Sequence, residues 1–266
     1  MFNLISGHKR VLTLLVLIFV LAGVSVAADP SLRAWYKFNE TSGIDVADSS
    51  GNGFNTVITA DTTPNWNPYG AIGGSLEGDG QWTGMCIDVP AAVFSTVSTE
   101  ITIAWWVEHT DNTTGGAFFT GSNGTENVLK SGPYSSAPSY YQTWSAGSAT
   151  TNWWWGYSGA VDVDEWHHMA IVFDTADGTK KLYSNGEVKM TVAIAAGESV
   201  AGVNAFRLFS RSTTANAAWD VFKGKMDDVQ IYDNALSQEE VAALVPEPAT
   251  IALLGLGALT LIRRKK

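Results

Sequence analysis

Between residues 140 and 157 the chain carries Tyr140, Tyr141, Trp144, Trp153, Trp154, Trp155 and Tyr157. An indole or phenol face stacks on the apolar C–H face of a sugar ring, so this crowding points to a glycan platform built from Trp153, Trp155, Tyr157 and Trp144. In a strand, Trp153 and Trp155 share one face and Trp154 takes the other, so the three cannot all line one groove. Trp is also bulky enough to fill a sandwich core, and that reading stays open for each of them.

Oxygen donors form the second resource. Asp48 and Asn52 flank the Gly-rich turn Ser49-Ser50-Gly51-Asn52-Gly53, and Asp227 and Asp228 sit in a late apolar segment. Calcium takes carboxylate, amide and backbone oxygens in such turns, which makes Asp48, Asn52 and Asp227 the candidate metal ligands. Asp48 can equally cap its own turn through an Asx hydrogen bond, with Asp227 merely solvated.

Catalytic patterns are scarce. A retaining glycosidase needs two carboxylates about 5 Å apart across a groove. The nearest acidic cluster, Asp162-Val163-Asp164-Glu165, precedes Trp166 and reads as a solvated turn. His167 and His168 are adjacent, so on a strand they point to opposite faces and cannot grip one ion together. The single Cys excludes an intrachain disulfide and a Cys-based zinc site.

These residues sit among β-type signals. Ile101, Ile103, Trp105 and Val107 alternate as the buried stripe of a half-buried strand, with Trp105 inside. Residues 166–173 are apolar on both faces, as in a strand covered on both sides. Asn185-Gly186 supplies the type I′ turn of a hairpin over 181–190. Further strands are expected near 33–38, 54–58, 84–89, 138–144, 204–211 and 221–232. Turns are expected at Gly73-Gly74, Gly78-Asp79-Gly80, Gly115-Gly116 and Asp177-Gly178. Only residues 237–244 read as helix, with Ser237 as N-cap and Glu240 as its capping-box partner. Short strands with Gly-rich turns and little helix predict a single all-β, two-sheet antiparallel sandwich over residues 29–245.

The ends read as addresses. His8, Lys9 and Arg10 precede an uncharged run over 11–26 and small residues at 25–28, so residues 1–28 are expected to be a cleaved signal peptide. Pro246-Glu247-Pro248 precedes the apolar run 249–262 and the basic Arg263, Arg264, Lys265 and Lys266. A helix over that run spans about 21 Å, short against a ~30 Å hydrocarbon core, yet basic side chains reaching the headgroups let such a segment insert in the inner membrane. Without both ends the chain keeps 10 basic and 25 acidic residues, a formal −15. That charge argues against nucleic acid, which needs clustered Lys and Arg.

Two resemblances follow from these motifs. The order Pro-Glu-Pro, apolar run and basic terminus over 246–266 resembles a PEP-CTERM sorting tail. That resemblance implies export, processing of the tail by an exosortase, and delivery to the cell surface or an extracellular polysaccharide matrix. Trp35-Tyr36-Lys37-Phe38-Asn39-Glu40 with the 48–53 turn, Glu165-Trp166-His167-His168 with Asn185-Gly186, and Lys225-Met226-Asp227-Asp228-Val229-Gln230-Ile231-Tyr232 with Ala235-Leu236-Ser237 together resemble the laminin G-like, concanavalin A-like jelly roll. Only the 110–160 stretch departs from it. First and last strands lie together in that fold, so the resemblance implies that Asp227 reaches a calcium ion shared with the opening turn. The Glu-x-Asp-x-x-Glu pattern of its laminarinase-like branch is missing here. The expected function is therefore non-enzymatic glycan binding or adhesion. The alternatives are a polysaccharide hydrolase with an atypical site and a purely structural matrix component.

Overall fold

The computed structural model describes residues 29–59, 63–80, 85–110, 116–125, 127–134, 137–146, 152–158, 164–210, 212–213 and 223–246, with backbone alone at 79, 133–134, 137–146 and 152–158. The chain divides after Pro30, and only Asp29 and Pro30 of the first unit are described. The signal helix expected over 1–28 and the apolar tail over 249–262 lie outside the described residues.

From Ser31 onward the strands are β1 (Leu32–Tyr36), β2 (Asp45–Val46), β3 (Thr56–Thr59), β4 (Asn65–Asn67), β5 (Ser75–Asp79), β6 (Cys86–Val89), β7 (Ile101–His109) and β8 (Phe119–Ser122). They continue as β9 (Asn127–Tyr134), β10 (Ala137–Ala146), β11 (Asn152–Ser158), β12 (Trp166–Asp174), β13 (Thr179–Ser184), β14 (Glu187–Ala193), β15 (Ala205–Leu208) and β16 (Lys223–Tyr232). One helix, α1 (Gln238–Ala243), follows β16. The first sheet runs β14-β13-β12-β7-β16-β5-β4, with β1 added beside β16; the second runs β11-β10-β9-β8-β15-β6-β3-β2. The two antiparallel sheets form the sandwich that the alternation predicts.

Between the sheets, the indole of Trp105 meets the Phe119 ring edge-on at 5.2 Å, and Phe119 stacks on Phe206 at 5.3 Å. Ile101, Ile103 and Val107 fill the same layer with no exposed surface. The opposite face of β7 is buried too, contrary to the half-buried strand expected. Ala104 lies there in a smaller apolar cluster with Ala170, Tyr183 and Tyr232, roofed by Leu236 and Val241 from the α1 segment. α1 thus exists to cover an outer sheet face: a helix this short has little stability of its own and is held by packing. Its capping box forms as predicted, Ser237 accepting from the Glu240 N–H and Glu240 from the Ser237 N–H.

The 185–186 hairpin has positive φ at both residues, 52° at Asn185 and 79° at Gly186, as its turn type requires. Gly78-Asp79 departs from expectation. Both residues pair with β16 (Gly78 with Gly224, Asp79 with Lys223), and the chain turns only at Gly80. Glycine serves there as a site of close strand approach rather than as a turn. The 110–160 stretch supplies β8 to β11, half of the second sheet. The sole Cys86 is buried on β6 with its thiol 3.5 Å from the Thr59 carbonyl, and burial pushes its pKa up.

Candidate functional sites

β16 changes neighbours halfway along. Lys223 to Met226 pair with β5, whereas Val229 to Tyr232 pair with β1. The exchange falls on a bulge between Asp227 and Gln230 in the pairing with β7, where Asp228 takes φ 52°. An extra residue in one strand turns consecutive side chains toward the same face. The sequence thereby sets two acids into a seam between the end of β1 and the start of β5.

Their surroundings differ. Asp228 Oδ1 accepts from the Trp35 indole N–H at 2.6 Å, and Oδ2 from the Gln230 amide at 3.1 Å. Asp227 has no exposed surface. Its Oδ2 accepts from the Ile72 N–H at 2.8 Å, but its Oδ1 is buried without a hydrogen-bond partner. Burial pushes the Asp227 carboxyl up to about 7, with repulsion from Asp228 adding to it and the backbone N–H groups of Ile72, Asp228 and Ala71 opposing. The turn that supplies this amide, residues 70–74, is clamped from both sides. A Cβ at Gly70 would lie 2.7 Å from Asp227 Oδ2, and one at Gly74 would lie 2.8 Å from the Phe38 carbonyl. Asn39 Oδ1 accepts from the Gly74 N–H across the same turn. Glu40 comes next in the chain. Its Oε1 accepts from Ala47 N–H at 2.8 Å, while Oε2 is buried without a partner.

Asp48 does other work. Its carboxylate accepts from the N–H groups of Trp35 (3.0 Å), Ser50 (2.9 Å) and Phe54 (2.9 Å), and from the Ser50 hydroxyl (2.8 Å). Burial pulls its pKa upward, but these hydrogen bonds outweigh it and hold the carboxyl below the ordinary value. Asn52 donates to the Leu32 and Arg33 carbonyls at 2.8 and 3.0 Å. Asp48 and Asn52 therefore stitch the opening turn to β1, while Asp227 faces the 70–74 turn. Glu40 enters the sequence reading only as the last residue of the Trp35–Glu40 segment, with no metal role. Among the described residues no three His, Cys, Asp or Glu side chains gather as a metal-holding group; the buried orphan oxygen of Asp227 is of the type a hard cation takes.

His168 is buried on the outer face of the first sheet, 5.3 Å from the Trp106 ring, and burial pushes it down to about 4. Its N–H donates to Asn185 Oδ1 at 2.9 Å, and Asn185 Nδ2 lies 3.3 Å from His167 Nδ1. The two histidines thus brace the hairpin turn.

The aromatic segment forms the ladder β10–β11, the last two strands in the order of the second sheet, with β11 also approaching β14. Trp144 pairs with Trp154, Thr143 with Trp155, Ser145 with Trp153 and Tyr141 with Tyr157. The side chains of Trp144, Trp153, Trp155 and Tyr157 lie outside what is described. Of the sorting residues, Pro246 is half-buried on the domain, and Glu247, Pro248, Arg263 and Arg264 lie outside the described residues. Among the described residues no helix is long and apolar enough to cross a membrane.

Fold and core define an all-β jelly roll of the lectin-like kind. Residues 79–242 match the family described as the Concanavalin A-like lectin/glucanases superfamily, and the chain belongs to it. Residues 244–266 match the PEP-CTERM protein-sorting motif, a mark of exported proteins. No curated protein matches the chain. Among solved structures, domain 4 of AbnA, a GH43 extracellular arabinanase from Geobacillus stearothermophilus, in complex with arabinotriose, is 24% identical, with TM-score 0.61 over 81% of this chain and 98% of that one. A structure of botulinum neurotoxin type C, described by its interaction with two ganglioside molecules, is 13% identical at TM-score 0.61, over 81% of this chain and 50% of that one. The binding domain of botulinum neurotoxin DC in complex with SialylT is 14% identical at TM-score 0.61, over 81% and 51%. At these identities the likeness speaks for the fold.

Proposed function

We propose that this is an exported, non-enzymatic surface or matrix protein whose jelly roll binds glycans or mediates adhesion. An exosortase processes its tail, and the protein is delivered to the cell surface or an extracellular polysaccharide layer. The observation that carries the glycan reading is the aromatic ladder of β10 and β11, the last two strands in the order of the second sheet. Aromatic ring faces of this kind stack on the apolar face of a sugar. The arabinotriose and ganglioside named with the neighbouring structures support the same ligand class. A glycan array probed with residues 29–245, with and without EDTA, tests it. Saturable binding that Trp153→Ala with Trp155→Ala weakens at least tenfold, at unchanged melting temperature, is the expected result. Turnover of a polysaccharide instead would make the protein a hydrolase.

The second part of the proposal is a calcium ion in the seam beside β16, with Asp227 Oδ1 as a ligand. A buried carboxylate oxygen lacking a donor supports it, because an unpaired buried charge is costly and a divalent cation removes that cost. The ion would fix the 70–74 turn against β16. Asp48 takes no part in it, since both its oxygens serve the opening turn.

A further inference from the structure

The sorting motif starts on the folded domain, with no spacer between them. Val241 of α1 is fully buried in the outer cluster with Tyr183 and Leu236. The helical turn runs on past α1: Leu244 N–H donates to the Val241 carbonyl at 3.2 Å and Val245 N–H to the Ala242 carbonyl at 3.1 Å. This end of the helix lies on the hairpin turn. A Cβ at Gly186 would be 3.1 Å from Ala242 Cα and 3.6 Å from Val245 Cγ2. Leu244, Val245 and Pro246 are each half-buried. Pro246 is the first residue of Pro-Glu-Pro, and the apolar run begins at Ala249.

A processing enzyme takes its peptide extended, through backbone contacts on both sides of the recognised residues. Here the residues before the motif are wound into a helical turn and seated on Gly186. On the other side, three residue steps separate Pro246 from Ala249, a reach of at most about 11 Å. While the residues before the motif stay seated on the domain, a cleft has at most that reach to work with on the tail side. The hold is local, however. α1 is short, and Val241, the flanking Leu236 and Leu244 and one capping box anchor it. Such an element opens without the sheets coming apart.

We infer that α1 with Val245 is a latch that must lift from the Asn185–Gly186 turn before the sorting enzyme can engage Pro-Glu-Pro. Opened, the segment from Asp233 onward becomes the spacer the motif lacks. This rests on the exosortase reading and adds an order of events to it: the domain folds and docks α1, α1 lifts, the tail is processed.

The test uses the full chain expressed with an exosortase, reading loss of residues 246–266 by mass. An eight-residue Gly/Ser insertion between Val245 and Pro246 should speed processing at least tenfold, and Val241→Ala should speed it severalfold. Gly186→Cys with Ala242→Cys is the opposite probe. The Cβ that would be added at Gly186 is 3.3 Å from the Ala242 Cβ, a few tenths of an ångström tighter than a disulfide takes, so a small shift of α1 admits the bond; the reduced form is the control for the strain of a side chain at the positive φ of Gly186. Oxidised, this variant should resist processing; reduced, it should recover. Equal rates for the insertion, Val241→Ala and the parent would overturn the latch. A failure of the parent and the insertion variant alike, with Pro246→Ala indistinguishable from both, would sink the exosortase reading instead. Without any enzyme, amide exchange at Val241, Leu244 and Val245 should be at least a hundredfold faster than in β12. Exchange as slow as in β12 would also overturn the latch.

Discussion

Asp48 and Asp227 are both aspartates beside the β1–β16 pairing, and the protein treats them in opposite ways. Asp48 takes four hydrogen bonds and is held below the ordinary carboxyl value. Asp227 is buried with one oxygen unpartnered and is pushed up to about 7. The contrast teaches that donors decide what a buried carboxylate does. Where three backbone amides converge, the charge is structural and permanent. Where burial is complete and one oxygen lacks a hydrogen bond, burial outweighs the backbone donors and the carboxyl holds its proton.

Removing Asp48 should have the largest effect. Asp48→Ala strands the N–H groups of Trp35, Ser50 and Phe54, at about 1 kcal/mol each, and detaches the opening turn. A loss of about 3 kcal/mol in urea unfolding is expected, equal in calcium and in EDTA. Rescue of the variant by calcium would contradict the division of labour between the two acids.

The pH response of Asp227 comes next. Its folded value lies above the ordinary aspartate value near 3.9, so the fold holds the proton more tightly than the unfolded chain does. In EDTA, stability should therefore rise as pH falls from about 7 to about 4, by up to about 4 kcal/mol. Asp48 has the opposite sign: its contribution is present above the ordinary value and is lost as pH falls through its depressed folded value. Calcium should flatten the Asp227 slope by holding the charged form. Asp227→Asn should abolish both the slope and the calcium gain, and should melt higher than the parent in EDTA at pH 8. Melting curves across pH 4–8 in both conditions decide this, and a calcium gain that survives in Asp227→Asn would remove the ion from the seam.

Ser237→Ala is a smaller change, about 1 kcal/mol from loss of the capping box. It should leave the contrast between the two acids untouched, with the same calcium gain as the parent. Smallest is Lys189→Ala, which breaks an exposed pair with Glu187 and should shift stability by under about 0.5 kcal/mol in denaturant titration.

The fold was legible wherever local chemistry and periodicity agreed. Asn185-Gly186, the Ser237–Glu240 box, the Trp105 face and the apolar β12 all carry their own signals. β5 was hidden because Gly78 imitates a turn while serving strand contact with Gly224. β8 and β9 were hidden because polar Ser131 and Thr120 occupy buried positions there. The seam was half legible. Asp227 and Asp228 interrupt an apolar strand, and adjacent charges between Met226 and Val229 signal a bulge. The 70–74 turn was not legible, because contacts with Asn39 and Asp227, 35 and 155 positions apart in the chain, bring it there.

The interior location of Cys86 also has a practical result. With its one thiol buried, the folded protein presents no reactive sulfur and is not readily trapped as a covalent pair. Any cysteine engineered at its surface becomes a unique attachment point for a dye or a spin label.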